Sequence, residues 1–177
     1  MSSDSSSKYN NVMDIVSYPN DVLSTKAVDV LDFENGEYKS LIESLVSTMA
    51  DYGHCVGLAA NQIGSNFNVF VADSSKNKRE PSKYGFVIVV NPKIIKSNGI
   101  IKKREGCMSV PDLTVDVERF DTIEISALNQ YGEAVNYTLD GFESRVFQHE
   151  IDHLRGNIIL DCAKSSRDIY SRKNYRK

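Results

Sequence analysis

The stretch QHEIDHLRG, residues 148–156, holds two of the chain's three histidines, four positions apart, with Glu150 directly after the first. Side chains at that spacing are neighbours on a helix surface. His149 and His153 can therefore share one divalent ion through ring nitrogens roughly 2.0–2.1 Å from it. Glu150, rotated by about 100° from His149, flanks such an ion without ligating it. That is the place for a carboxylate that takes a proton from an activated water. Two imidazoles in ordinary hydrogen bonds are the plain alternative, so the rest of the site has to be found.

A catalytic site of this type commonly takes three protein ligands and leaves a position for solvent. Beyond His153 the chain has no histidine or glutamate, and only Asp161 and Cys162 offer a donor nearby. Upstream, EGCMSVP (residues 105–111) sets Cys107 in a loop with glycine before it and proline after it. Such a loop can present a thiolate, and a Cys-His-His set suits a divalent ion because the sulfur stays deprotonated while it is bound.

The elements that must position these groups are legible as patterns. Residues 38–51 repeat Leu41, Leu45 and Met49 every four positions and predict an amphipathic helix ending near Gly53. FNVFVAD (67–73) predicts a strand, and residues 84–95 predict another, bent at Asn91-Pro92. LTVDVE, TIEISAL and AVNYTL alternate apolar and polar residues across 113–139, which predicts an antiparallel meander. Asp140 and Glu143 have capping-box spacing, so a helix is expected from about Phe142 to a C-cap at Gly156, with Arg155 at the negative end of its dipole. Phe142, Val146, His149 and His153 share one stripe of it, expected to face the core, while Asp152 and Arg155 are expected in solvent. Basic residues 164–177 predict a short C-terminal helix, and Ser-rich residues 1–10 a disordered lead-in. The plan is α+β: mixed or antiparallel sheets around a central helix that carries H-E-x-x-H, in one domain spanning 11–177.

Three stretches taken together resemble the peptide deformylase family: GLAANQIG (57–64), EGCMSVP (105–111) and QHEIDHLRG (148–156), in the family's order and spacing. The resemblance runs from about Asn11 onward. It implies Cys107, His149 and His153 as metal ligands and Glu150 as the catalytic carboxylate. Gln62, through its side-chain amide, and Met108, through its backbone N–H, are implied as donors to the reacting oxygen. Val56 and Gly57 match positions that line the substrate cleft, and Phe142, Val146 and Met108 are expected to complete an apolar pocket for methionine.

The implied activity is removal of the formyl group from the N-terminal formylmethionine of new polypeptides, releasing formate. The implied cofactor is one divalent ion per chain, natively Fe2+, with Zn2+, Ni2+ or Co2+ able to replace it. This sequence departs from the family where Cys55 stands in place of a common glycine, where Met108 replaces a frequent leucine, and where YPNDVL lacks a second proline. Competing readings are an H-E-x-x-H peptidase and an inactive deformylase-like binding module. The first needs a third ligand after His153. The second is disfavoured by an intact set of ligands with Glu150 and Gln62.

Composition sets the outer bounds. Of 177 residues, 41% are hydrophobic and 25% charged, ordinary for a globular protein. A net charge of −3 predicts no general attraction to DNA or to an anionic membrane. The longest apolar run, FVIVV, is far short of the ~20 residues a membrane helix needs. Three cysteines, an odd number, fit a reducing cytoplasm rather than a disulfide scaffold. The basic segment from Arg167 onward carries the further expectation of a contact with the ribosome.

Overall fold

The computed structural model describes residues 11–172. Asn35 caps the first helix, α1 (Gly36–Asp51), its side chain accepting from the N–H groups of Glu37 and Tyr38. Tyr38, Leu41, Leu45 and Met49 form its buried stripe. Then come strands β1 (Gly57–Ala59), β2 (Val69–Asp73), β3 (Phe86–Asn98), β4 (Ile101–Cys107), β5 (Val110–Arg119), β6 (Thr122–Leu128) and β7 (Ala134–Asp140), helix α2 (Gly141–Leu154) and strand β8 (Ile169–Ser171). The α+β plan is as expected, and the named sheets are antiparallel throughout.

Two sheets divide the strands, a five-stranded one in the order β1-β2-β3-β6-β7 and a three-stranded one in the order β4-β5-β8. The expected meander is therefore broken, because β5 lies in the smaller sheet and β6 pairs with β3. Alternation revealed the strands and not their partners. Val115 and Val117 of β5 pack with Leu23 and Ile159, whereas Ile123 and Ile125 of β6 pack with Phe70 and Phe147. The corner between them is fixed from α2. Gln148 accepts from the Phe120 N–H and donates to its carbonyl, and Ser144 Oγ donates to the same carbonyl. The bend in β3 falls where expected, at Asn91 (φ 50°), whose side chain bonds both backbone groups of Val30.

Helix α2 buries Phe147, Ile151 and Leu154 against the larger sheet, with Phe70 and Phe147 meeting edge to face at 5.2 Å. Of the expected stripe, Val146 joins the core with Phe142 packed against it and His153 is buried, while Phe142, Val146 and the partly buried His149 also border a cleft between β1 and β4. The expected capping box does not form. Asp140 makes no side-chain cap, being still paired to Thr122 at the end of β7. Glu143 instead accepts from Ser74 Oγ (2.6 Å), Ser82 Oγ (2.8 Å) and the Tyr84 N–H (3.0 Å), pinning the segment between β2 and β3 to the helix. Gly156 (φ 80°) does close the helix, and a Cβ there would sit 2.8 Å from the Ser24 carbonyl oxygen.

The C-terminal helix is also corrected. Residues 166–168 form a 3₁₀ turn, and β8 then pairs with β5 through Leu113, Thr114 and Val115. The turn is held by side-chain pairs instead, Lys164 with Glu118 and Asp168 with Lys102. Residues 1–10 and 173–177, including the expected lead-in and the end of the tail, lie outside the described residues.

Candidate metal centre

Cys107 ends β4 on the smaller sheet, and His149 and His153 stand one turn apart on α2. Cys107 Sγ lies 3.1 Å from His153 Nε2, and one ligand atom from each of the three residues falls within 4.8 Å of the others. A soft sulfur and two imidazoles at these separations fit a tetrahedral divalent ion. Burial pushes the Cys107 thiol up, yet the adjacent imidazoles of His153 and His149 outweigh it and hold the sulfur well below its ordinary range. Burial likewise lowers His149, but the Cys107 sulfur and Glu105 raise it well above the usual imidazole value. A thiolate among bases that attract protons is a set of donors suited to a cation.

Glu150 is fully enclosed, and burial raises its carboxyl to about 7 against the pull of both imidazoles. One of its oxygens, Oε2, is sealed from solvent with no hydrogen-bond partner among the described residues. The other presses on Gly57, where a Cβ would stand 2.3 Å from Oε1, so only glycine leaves room for the carboxylate. Gln62 Oε1 accepts from the Ala59 N–H (3.0 Å), which turns Nε2 toward Ser109 Oγ (3.2 Å) and Cys107 Sγ (3.6 Å).

Behind the three candidate ligands runs a charged relay that sequence reading missed. Glu105 Oε2 meets His149 Nδ1 at 3.1 Å, and Arg119 holds both Glu105 oxygens at 2.9 and 3.0 Å while also bonding Asp152. Burial raises the Glu105 carboxyl, but His149 and Arg119 bring it to about 2. Asp152, expected in solvent, is thus partly buried and ion-paired, while Arg155 is exposed as expected. The only sequence signal for the relay was Glu105 standing two residues before the cysteine.

Val56, Gly57, Met108, Phe142 and Val146 all border the same cleft, of about 210 Å³, as Gln62, Glu150, Cys107 and His149. Cys55 also borders it but is buried, its thiol donating to the Gly57 carbonyl at 3.0 Å. Cys162, the other downstream donor considered, points to Asp152 instead of to the cleft.

A family model for polypeptide deformylase matches residues 12–168. The chain belongs to the peptide deformylase family. A peptide deformylase of Aquifex aeolicus is 44% identical over 168 residues, covering 94% of this chain and 96% of that protein. The crystal structure of a Legionella pneumophila peptide deformylase superposes with a TM-score of 0.79 at 32% identity, covering 89% of this chain and 88% of that one. A class I type b peptide deformylase of Acinetobacter baumannii, in a crystal structure with Met-Ala-Ser bound, gives 0.78 at 30% identity over 85% of this chain and 98% of that one. As a deformylase the chain is a metal-dependent hydrolase that removes the formyl group from formylmethionyl peptides. Among the described residues no helix is long and apolar enough to cross a membrane.

Proposed function

We propose that Cys107, His149 and His153 hold the metal and that Glu150 moves the protons in deformylation of nascent polypeptides in the cytoplasm. The observation that carries this reading is the meeting of one sulfur and two ring nitrogens within 4.8 Å, in a cleft that also contains the buried Glu150. When bound, a divalent ion supplies Lewis acidity that brings the pKa of water toward about 7.

The chain's own groups do the rest. Glu150, with a carboxyl near neutrality, takes a proton as water attacks the formyl carbon. The oxygen that gains charge accepts from Gln62 Nε2, already held in place by Ala59, and from the Met108 N–H. Glu150 returns its proton to the methionine nitrogen, the C–N bond breaks, and formate and a free amine leave. Val56, Met108, Phe142 and Val146 take the methionine side chain, and Gly57 lets the peptide backbone approach.

Ferrous iron is the proposed native ion, with zinc, nickel or cobalt accepted by the same donors. Contact with the ribosome, the source of such substrates, would fall to the basic residues from Arg167 onward, Arg167, Arg172, Lys173, Arg176 and Lys177. Cosedimentation that weakens as salt rises supports it, and salt-insensitive or absent cosedimentation argues against it. The central test is formate release from formyl-Met-Ala-Ser by anaerobic, iron-loaded protein beside Glu150→Gln. Retained turnover in that variant removes the assigned role of Glu150.

A further inference from the structure

Two of the charged side chains that border the cleft, Glu105 and Glu150, belong to its chemical centre. Among the described residues every other charged side chain there is an arginine: Arg104, Arg145 and Arg172. This concentration stands on a chain whose net charge is −3. The three arrive from different elements. Arg104, on β4, bonds Asp116 at 2.9 and 3.3 Å with its guanidinium 3.4 Å above the Tyr170 ring. Arg145, on α2, donates to Glu80 at 3.1 Å. Arg172 follows β8, anchored by its N–H to the Asp112 carbonyl at 2.7 Å. Its guanidinium lies over Gly106, beside Cys107, with three of its atoms 2.9–3.2 Å from where a Cβ would stand.

Asp116 and Glu80 steady two of these forks, but neither carboxylate borders the cleft, so a bound peptide meets the arginines. An extended chain advances about 3.4 Å per residue. With the formyl carbon at Cys107 and Glu150, the second and third residues of a substrate come within the reach of these long side chains. A planar guanidinium pairs with a carboxylate through parallel N–H donors.

We propose that the outer cleft selects substrates by charge, favouring formylmethionyl peptides that carry a carboxylate side chain at the second or third residue, with Arg172 and Arg145 as the reading groups. This rests on the deformylase reading and adds a substrate preference to it.

The test is kcat/KM for formyl-Met-Asp-Ser, formyl-Met-Ala-Ser, formyl-Met-Lys-Ser, formyl-Met-Ala-Asp and formyl-Met-Ala-Lys at low and high salt, for the parent chain, Arg172→Gln, Arg172→Lys and Arg145→Gln. Exposed charge pairs are each worth up to about fivefold. At low salt an aspartate peptide should exceed its lysine counterpart by about tenfold, in KM rather than kcat. Screening at high salt should shrink the ratio to below about threefold. Arg172→Gln should cut it by about threefold, and Arg172→Lys should keep most of it. The ratio is taken within one preparation, so partial misfolding of a variant cancels. A ratio below about two at both positions in the parent chain, or one unchanged in both glutamine variants, overturns the proposal. Turnover of formyl-Met-Ala-Ser with flat ratios removes the charge preference alone. Absence of formate from every peptide removes the deformylase reading with it.

Discussion

Cys55 and Cys107 border one cleft, both are buried, and their acid–base behaviour is opposite. Burial raises Cys55 to about 12, with Glu150 and Cys107 adding to the effect and the Gly57 backbone and Lys76 opposing it. Cys107 feels the same burial, but two imidazoles reverse the outcome. A thiol's identity thus says little, and the charges within hydrogen-bond reach decide whether it ligates or packs.

Substitution gives the sharpest contrast. Cys107→Ala should abolish metal retention and lower formate release by more than about a hundredfold, beyond the 10–100-fold typical of residues that only orient a ligand. Metal content by elemental analysis checks it, and a variant that keeps its ion would erase the distinction drawn here. Gly57→Ala comes next. Its Cβ would displace Glu150, and a misplacement of about an ångström costs about 10² in kcat. Normal turnover in that variant would show that the carboxylate has another resting place.

Glu105→Gln should loosen metal binding by about 10–100-fold, read by competition with a chelator, because the relay that sets the His149 ring loses its charge. Smaller still is the reactivity test. In chelated protein at pH 8, Cys107, held well below the ordinary thiol range, carries more thiolate than Cys55, whose value is about 12. Iodoacetamide should therefore label Cys107 first, by peptide mapping, and the reverse order would overturn the contrast. Cys55→Ser should change KM by less than about threefold, since a serine hydroxyl can also donate to the Gly57 carbonyl.

What could be read in advance followed the range of the interactions. Helices α1 and α2 declared themselves through three- and four-residue spacing, and the histidine pair came with α2. Cys107 was a candidate from its loop and joined that pair through the resemblance, because nothing local to residues 105–111 points to a helix about 40 positions away. Alternation exposed β5, β6 and β7 but not that Val115 and Ile123 bury in different clusters. Glu143 looked like a cap and Asp152 like a solvated charge, since their partners, Ser74 and Arg119, are remote in sequence. Arg172 looked like part of a basic C-terminal helix because its backbone partner, Asp112, is remote in sequence.

The placement of the three donors has a mechanical meaning as well. Cys107 rides on the three-stranded sheet, whereas both histidines ride on the helix packed on the five-stranded one. An ion gripped by all three would work as a rivet across the seam between the two halves. At a thousand times its dissociation constant such a ligand adds about 4 kcal/mol to the folded state. Loss of the ion would then disarm the chemistry and slacken the body of the protein in the same event.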